Sequence, residues 1–379
     1  MAMKKTVCIA LSVLLILFLA VPSFASSTFF SPAPVLSRTL RFDLFSFLQW
    51  DLRMIRMPSI WDSGLTGHGV QIGIIDSGIS AKNRDLDTDR VLSGIDFVSG
   101  DDALTDSSGH GTFIAGIIGA SRHNGFGISG IAPDATLVPM KTSSHKRSEI
   151  HHVADAIRAC VDDYQCSVIN LSSSSEESSE ILAEAIRYAD ERGVIIVCPV
   201  GNDGNETLNY PAAYEETIGV GAVDSDKIIS SFSNCNDSVF IVAPGEEILS
   251  LARSRYGIAF RNGTSYAAPF VTGLAALLKE RYPRMNRKDF CEILRQSSLD
   301  LGEEGYDPLY GWGLIQADAA LRAADDYFGP VSISLIPLKT NKKNRSFRHW
   351  KGLFFLILRI MLPFSLRRPV WDEVHQTAT

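Results

Sequence analysis

Asn-Gly-Thr-Ser-Tyr-Ala-Ala-Pro-Phe, the stretch from Asn262 to Phe270, precedes an apolar run that extends from Val271 to Leu278. Glycine before such a run predicts a tight turn that enters a buried helix, with Ser265 in the first helical turn. The first backbone N–H groups of a helix lack an intrahelical acceptor, and the helix dipole is positive there. This position suits a hydroxyl nucleophile whose attack creates an oxyanion. The alternative for Ser265, taken alone, is an ordinary helix N-cap.

The composition predicts one large folded domain with extensions at both ends. The chain has 379 residues, of which 45% are hydrophobic and 21% are charged. Residues 1–25 contain a basic start, an apolar run and a Ser-Phe-Ala site that is typical of signal peptides. An uncleaved membrane anchor is the alternative, although the run is short for a membrane span. We expect a secreted protein, with residues 26–48 as a linker or short pro-segment and residues 49–327 as the domain.

The charge of the chain is divided unevenly between this domain and a tail, residues 328–379. The formal net charge is −7, but from Lys339 onward nine lysine and arginine residues stand against only two acidic residues. An acidic domain of this kind does not suggest a nucleic-acid partner. The tail is predicted to be a separate, basic and partly apolar segment.

The apolar part of the tail, residues 353–366, is too short to span a membrane and contains Arg359. Basic residues lie on both sides of it, and Trp350 and Trp371 lie near its ends. This pattern favours an interfacial helix, and we expect a peripheral membrane contact through residues 339–371. A helix that docks on the domain is the alternative.

The cysteine pattern does not indicate a disulfide framework. Six cysteines are present, and removal of residues 1–25 would take Cys8 with them, so an odd number would remain. Cys160 and Cys166 are close in sequence and could form a disulfide in an oxidising compartment, or stay as two thiols. No cysteine spacing resembles a zinc site.

Short apolar runs alternate with longer segments of helical periodicity, which predicts βαβ units and a mainly parallel central sheet. Strands are expected at 70–75, 135–140, 167–171, 194–197, 217–223 and 239–242. Helices are expected at 150–160 and 180–191, and residues 248–260 are expected to form a hairpin. The fold class is therefore α/β.

Two further side chains occupy positions that favour function. Asp76 follows the apolar strand 70–75, and the carboxyl ends of buried strands are where α/β sheets place functional groups. His110 lies between Gly109 and Gly111 and precedes another apolar run. The alternatives are a turn or cap aspartate and a surface or cap histidine.

Taken together, four blocks of the sequence resemble the subtilisin-like serine proteases. They are Ile-Ile-Asp-Ser-Gly-Ile at 74–79, Gly-His-Gly-Thr with a later Ala-Gly at 109–116, Val-Gly-Asn-Asp-Gly at 200–204, and Gly-Thr-Ser with Ala and Pro at 263–269. Their order, Asp then His then Ser, is that of the family. The resemblance covers about residues 49–325 and implies a three-layer fold with helices on both faces of the sheet.

The resemblance implies a monomeric serine endopeptidase that hydrolyses polypeptides through an acyl-enzyme on Ser265. His110 would act as general base and acid, Asp76 would orient it, and Asn202 would donate to the oxyanion. No cofactor would be needed for the chemistry. A catalytically inactive binding module on the same fold is the competing class.

The resemblance also assigns the walls of the primary substrate pocket to Ser172, Ser173, Ser174, Gly201 and Asn209. Ser174 and Ser175 stand at the two positions where the family usually has glycines, and Asn209 occupies the base of the pocket. We therefore expect a shallow, polar pocket that prefers small or polar residues before the cleaved bond. The basic loop 143–147 would tolerate acids further upstream. If the serines turn outward, the broad preference of the family for large apolar residues would persist.

A structural calcium site is a further implication of the resemblance. Asp85 matches the aspartate of the loop after the catalytic aspartate, and Asn124, Phe126 and Ile128 match the loop after the histidine helix. Their side-chain and carbonyl oxygens are the ligands that Ca²⁺ prefers. An ordinary glycine-rich turn with a capping aspartate is the alternative.

The sequence departs from the family pattern at three places. Phe113 replaces a second histidine, Tyr266 replaces a common methionine, and residues 26–48 are too few for the usual long pro-domain. Neither substitution removes a group to which the resemblance gives a catalytic role.

Overall fold

The computed structural model describes residues 43–329, except 101 and 145–148. The strands of these ranges are β1 (Gln71–Asp76), β2 (Ile95–Asp96), β3 (Thr136–Lys141), β4 (Val168–Leu171), β5 (Ile195–Pro199), β6 (Ile218–Val223), β7 (Ile241–Pro244), β8 (Ile248–Leu251) and β9 (Ile258–Arg261). The α-helices are α1 (Trp50–Met54), α2 (Met57–Trp61), α3 (His110–Gly119), α4 (Ile150–Asp162), α5 (Glu180–Asp190), α6 (Thr264–Arg281), α7 (Arg287–Ser297) and α8 (Ala317–Phe328).

Residues 1–25, most of the linker and the tail beyond residue 329 lie outside the described residues, so the sequence-based expectations for them stay predictions. The same holds for His145, Lys146 and Arg147 of the basic loop. In the part of the chain that is described, none of the helices combines the length and apolar character needed to cross a membrane.

Seven strands form a parallel sheet in the order β2-β3-β1-β4-β5-β6-β7, which confirms the predicted fold class. The chain leaves β1, builds β3 on one side of it and returns to build β4 on the other side. Open α/β sheets bind ligands at such a reversal, outside the carboxyl ends of the strands. Asp76, the last residue of β1, lies at this edge.

Helices cover both faces of the sheet, because the strands are apolar on both sides. A Cβ at Gly73 of β1 would lie 2.5 Å from Sγ of Cys160, so α4 packs closely against this face. On the opposite face, the Thr272 hydroxyl of α6 donates to Oδ1 of Asn170 in β4 at 3.0 Å. Helix α6 is buried around most of its circumference, which makes it the central helix of the domain.

The remaining two strands, β8 and β9, form the predicted hairpin as an antiparallel pair outside the main sheet. The Ser250 hydroxyl of β8 donates to the carbonyl of Phe113 at 2.6 Å, which ties the hairpin to α3. The end of β9 leads directly into α6, so the hairpin brings Arg261 next to the start of that helix.

A buried carboxyl group near the start of the domain is poorly compensated. Asp51 of α1 is 1% exposed, and its Oδ1 accepts from the N–H of its neighbour Leu52 at 2.7 Å. Its Oδ2 has no hydrogen-bond partner among the described residues. Burial raises the pKa of Asp51 to about 7. The folded state therefore favours the protonated form of this group.

We expect Asp51→Asn to stabilise the protein, and to do so more strongly at higher pH. Because the pKa of Asp51 is higher in the folded state, its contribution to stability is lost as the pH rises from the unfolded value of 3.8 towards about 7. The gain in unfolding free energy should be about 2 kcal/mol larger at about pH 8 than at about pH 5. Denaturant melts at both values measure it, with the exposed Asp87→Asn as a matched control. An equal effect of Asp51→Asn at both values would contradict the assignment.

Candidate active site

The carboxylate at the end of β1 is held against an imidazole at the start of α3. Nδ1 of His110 lies 2.9 Å from Oδ1 and 2.8 Å from Oδ2 of Asp76. Oδ1 also accepts from the N–H of Ser77 at 2.7 Å. The Asp76 side chain is 3% exposed and that of His110 is 26% exposed, so the pair is shielded on the carboxylate side and open on the imidazole side.

This pair changes the acidity of the imidazole. Burial disfavours the charged form of His110, but the charge of Asp76 and its hydrogen bond outweigh burial, so the pKa of His110 lies above its ordinary value of 6.5. The charge of Arg261 acts in the opposite direction and lowers that pKa. The Nδ1–carboxylate contact also leaves the other ring nitrogen, Nε2, free to exchange a proton elsewhere.

Asp106 fixes the loop that presents His110. Its Oδ1 accepts from the Ser77 hydroxyl at 2.8 Å and from the N–H of Gly109 at 2.7 Å. Its Oδ2 accepts from the N–H and the hydroxyl of Thr112, at 2.8 and 2.5 Å. This buried carboxylate therefore joins the residue after Asp76 to the first turn of α3.

Close backbone packing explains one of the glycines beside the histidine. A Cβ at Gly111 would lie 2.2 Å from the carbonyl oxygen of Gly78, so no larger residue fits there without displacing the backbone. The spacing between Asp76 and His110 depends on this approach, since Gly78 belongs to the turn after β1.

Ser265 is the second residue of α6 and is half-buried. The next residue, Tyr266, places its ring 5.3 Å from the His110 ring and 4.6 Å from the Phe113 ring, measured between centroids. The helix start and the Asp–His pair are thus brought together, as expected from the sequence. The two departures from the family pattern, Phe113 and Tyr266, pack against each other behind this pair.

Asn202 is oriented by the residue before Ser265. Its Oδ1 accepts from the N–H of Thr264 at 2.8 Å and from the Thr264 hydroxyl at 3.0 Å. The same hydroxyl lies 3.1 Å from the carbonyl oxygen of Gly201. With its oxygen occupied in this way, the amide NH₂ of Asn202 is the end left to donate to another group.

The serines after β4 divide between two environments. Ser173 and Ser174, together with Ser175, line a cavity of about 430 Å³. Its apolar lining includes Ile150, Val153 and Leu182 of α4 and α5, and Tyr210 and Pro211 also line it. Ser172 instead accepts a hydrogen bond from Nδ2 of Asn170 at 2.7 Å and is not among the lining residues. Residues 173–175 thus line this cavity, and the assignment of the serines to the primary pocket stays a prediction.

Asn209 lies directly beside Gly201. A Cβ at Gly201 would lie 2.4 Å from Nδ2 of Asn209, and Gly201 has a φ of +114°, so this position requires glycine. Asn209 is 4% exposed, and its Nδ2 has no hydrogen-bond partner among the described residues. A buried donor without a partner is available to an acceptor that enters the site.

The residues expected to bind calcium are bonded to one another. Asp85 accepts from Nδ2 of Asn124 at 2.6 Å and from the N–H of Ile128 at 2.8 Å. The Asn124 oxygen, expected as a ligand, accepts from the N–H of Phe126 at 2.7 Å. No cluster of three or more acidic, histidine or cysteine side chains that could hold a metal occurs among the described residues.

The same loop is also held by Asp43, which precedes the domain start predicted from the sequence, and by Gln49, the first residue of the predicted domain. Asp43 accepts from the N–H groups of His123 and Asn124 at 3.0 and 3.1 Å, and from the Ser129 hydroxyl at 2.6 Å. Gln49 forms two hydrogen bonds with the backbone of Ser129, both near 2.9 Å. Asp85 and Asn124 thus accept hydrogen bonds within the loop, and the calcium site stays a prediction of the resemblance, with no role derived for the ion.

The five cysteines of the described residues are free thiols. Cys160 and Cys166 are both buried, and burial with the neighbouring Cys166 thiol raises the pKa of Cys160. Of the two alternatives left open by the sequence, the structure has the pair of thiols.

An Asp–His pair beside a serine at the start of a buried helix, on an α/β sheet, is typical of serine hydrolases. Residues 67–313 match the Subtilase family. The chain is 38% identical over 287 residues to the minor extracellular protease Epr of Bacillus subtilis, across 74% of this chain and 43% of that protein. It is 36% identical over 275 residues to subtilisin BL of Lederbergia lenta, across 72% of this chain and 98% of that protein.

A solved structure of proteases from Pseudoalteromonas arctica has a TM-score of 0.69, with 24% identity, over 74% of this chain and 98% of that chain. At this identity the likeness concerns the fold alone. The chain belongs to the subtilase family, and it is a serine-type endopeptidase whose substrates are polypeptides. The resemblance seen in the sequence is thereby confirmed.

Sequence reasoning missed three residues of this site. Asp106 lies in an Asp-Ser-Ser loop whose pattern is typical of an ordinary turn. The sequence indicates no role for Thr264 beyond its place in the motif around Ser265. Arg261 lies on β9, which pairs with the nearby strand β8, so nothing in the sequence indicates that it approaches Gly109 and His110. For Asp106, the available signal was its position three residues before Gly109, which suits a side chain that caps the start of α3.

Proposed function

We propose that the chain hydrolyses peptide bonds through an acyl-enzyme on Ser265, with His110, Asp76 and Asn202 in the roles that the resemblance implies. The observation that carries this proposal is the bonded pair of Asp76 and His110 next to the start of α6. The orientation of Asn202 by Thr264 supports it independently.

In the first step, Nε2 of His110 takes the proton of the Ser265 hydroxyl as the oxygen attacks the carbonyl carbon of the substrate. The imidazolium that forms is stabilised by Asp76, whose carboxylate already raises the pKa of this ring. His110 then gives the proton to the leaving amine. Water repeats the sequence on the acyl-enzyme and releases the acid product.

The negative charge of the tetrahedral oxygen would be met by two donors. One is the N–H of Ser265, which lies in the first turn of α6 and therefore has no intrahelical acceptor. The other is the NH₂ group of Asn202. Because the N–H and hydroxyl of Thr264 hold the Asn202 side chain in place, this donor needs no reorganisation when the charge develops.

We expect Asn202→Ala to lower kcat by about 10²- to 10³-fold with little change in KM, a range measured in subtilisin for loss of such a donor. Initial rates on a peptide substrate give both constants. Asn205→Ala, in the same loop but exposed, is the matched control and should retain normal kinetics. A change confined to KM would assign Asn202 to substrate binding and contradict its role as an oxyanion donor.

We also propose that the primary pocket accepts small or polar side chains. The unpaired Nδ2 of Asn209 beside Gly201 supports this, because a side-chain oxygen of the substrate would satisfy that donor. The serine-lined cavity with its apolar floor would take a residue further upstream of the cleaved bond.

Profiling with a peptide library tests this specificity. The unmodified protein should cleave after small or polar residues, and Asn209→Gly, which removes bulk and polarity from the pocket, should raise cleavage after Phe relative to Ser by about tenfold or more. Ser254→Gly, on the exposed end of the β8–β9 hairpin, is a control that should leave the profile unchanged. Dominant cleavage after Phe, Tyr or Leu by the unmodified protein would contradict a narrow pocket.

Export is proposed from the signal-like residues 1–25 and from the printed name of Epr, an extracellular protease. Membrane contact through residues 339–371 and a monomeric state stay predictions of the sequence. So do the boundaries of the linker and the tail. The competing class, an inactive binding module, has no observation that favours it over an enzyme.

A further inference from the structure

Arg261 places a positive charge next to the proposed catalytic histidine. It is the last residue of β9, and its guanidinium carbon lies 5.1 Å from the centroid of the Phe113 ring. Its Nη1 donates to the Tyr266 hydroxyl at 3.3 Å. A Cβ at Gly109, the residue before His110, would lie 3.3 Å from its Nη2. Two contacts with aromatic side chains, together with its place beside Gly109, thus hold the guanidinium near the imidazole.

This charge forms no ion pair among the described residues and works against the chemistry. No carboxylate of the described residues lies within ion-pair distance of Arg261, whose side-chain hydrogen bond goes to a neutral phenol. The guanidinium disfavours the imidazolium that His110 must form during catalysis. A guanidinium that destabilises the imidazolium of His110 is explained if an anionic side chain of the bound substrate neutralises its charge.

The position of Arg261 identifies which part of a substrate it meets. His110 gives its proton to the leaving amine, so the residues after the cleaved bond must lie on the imidazole side of Ser265. Asn202, Gly201 and Asn209 contact one another or Thr264, no hydrogen bond or ring contact joins them to His110 among the described residues, and the proposed function gives them the acyl half of the substrate. Arg261 contacts the residues around His110 and therefore borders the leaving-group side.

A second arginine strengthens the charge on the same side. Arg253, just after β8, is exposed, and its Nη1 donates to the carbonyls of Asp106 and Ser107 in the loop before His110. A Cβ at Gly109 would lie 3.3 Å from Cγ of Arg253, so both arginines flank this glycine. The two ends of the hairpin together make the leaving-group side cationic.

We propose that Arg261, assisted by Arg253, selects peptides with an acidic side chain, Asp or Glu, at the first or second residue after the cleaved bond. This inference rests on the proposed function, because it uses the acyl-enzyme mechanism at Ser265 to orient the substrate. It concerns the leaving half of the peptide and is independent of the polar primary pocket.

The test uses internally quenched peptides that share one acyl half and carry Glu, Gln or Lys at either of the two positions after the bond. Mass spectrometry of the products establishes that the same bond is cut in each. The ratio of kcat/KM for Glu over Lys should be about tenfold for the unmodified protein and should fall towards one at high salt, because exposed charges are screened. Arg261→Gln should bring the ratio close to one, and Arg261→Glu should invert it.

Arg255→Gln is the matched control, since Arg255 is an exposed arginine at the tip of the same hairpin, against Tyr256. It should keep the ratio of the unmodified protein. Equal cleavage of the Glu and Lys peptides by the unmodified protein, or an unchanged ratio in Arg261→Gln, would overturn the inference and leave peptide hydrolysis intact. Absence of cleavage of every peptide by folded protein would overturn the proposed function as well.

Discussion

Ser265→Ala and His110→Ala should each lower kcat for peptide hydrolysis about a millionfold, the loss measured in subtilisin when either group is removed. The serine supplies the attacking oxygen and the histidine accepts its proton, so neither acts without the other. The double variant should therefore lose little more than each single variant. Initial rates at saturating peptide measure the effect, and thermal melts establish that each variant is folded.

Ser254→Ala and His68→Ala are matched controls for these two changes, since both residues are exposed. Both controls should retain the normal rate. A single Ser265 or His110 variant that retained more than about a tenth of that rate would contradict its assigned role, because residual catalysis from binding and the oxyanion donors is far smaller.

Asp76→Asn should lower kcat about 10⁴-fold, the effect that loss of the orienting carboxylate has in other serine proteases. The amide preserves the shape of the side chain but removes the charge that holds the correct tautomer and stabilises the imidazolium. Asp87→Asn is the control, since Asp87 is an exposed carboxylate that pairs with Arg90, and it should leave kcat unchanged.

Asp76→Asn should also change the pH dependence of kcat/KM. Activity requires neutral His110, so kcat/KM should fall as the pH decreases through the pKa of this residue, which Asp76 holds above 6.5. Loss of the Asp76 charge lowers that pKa, and the acid limb of the residual activity should move to lower pH. An acid limb at the same position in both proteins would show that Asp76 does not set the pKa of His110.

The parallel sheet could be predicted from the sequence because its strands are apolar on both faces and alternate with helical segments. The strand order could not, since it depends on which side of β1 each crossover returns to. Strand β2 contains only Ile95 and Asp96. Two residues carry no periodicity, so this strand exists only through its pairing with β3.

The residues proposed for catalysis were predictable because Asp76, His110 and Ser265 lie in short motifs whose glycines permit close backbone approach. Residues that lie far from these motifs in the sequence, but contact them in the fold, could not be predicted. Arg261 reaches Gly109 through the packing of the hairpin on α3, and Asp106 acts through several backbone N–H groups. The calcium expectation relied on matching positions, and the rotation of the Asn124 amide towards Asp85 follows only from the three-dimensional packing.

We propose that Ser265 is an activated nucleophile in the folded protein. Labelling with a fluorophosphonate probe, followed by mass spectrometry of the digested protein, tests this role. A single adduct is expected on Ser265, absent in His110→Ala and after thermal unfolding of the unmodified protein, since activation depends on the assembled site. Folded protein that acquires no adduct, or an adduct on another serine, would contradict this role of Ser265.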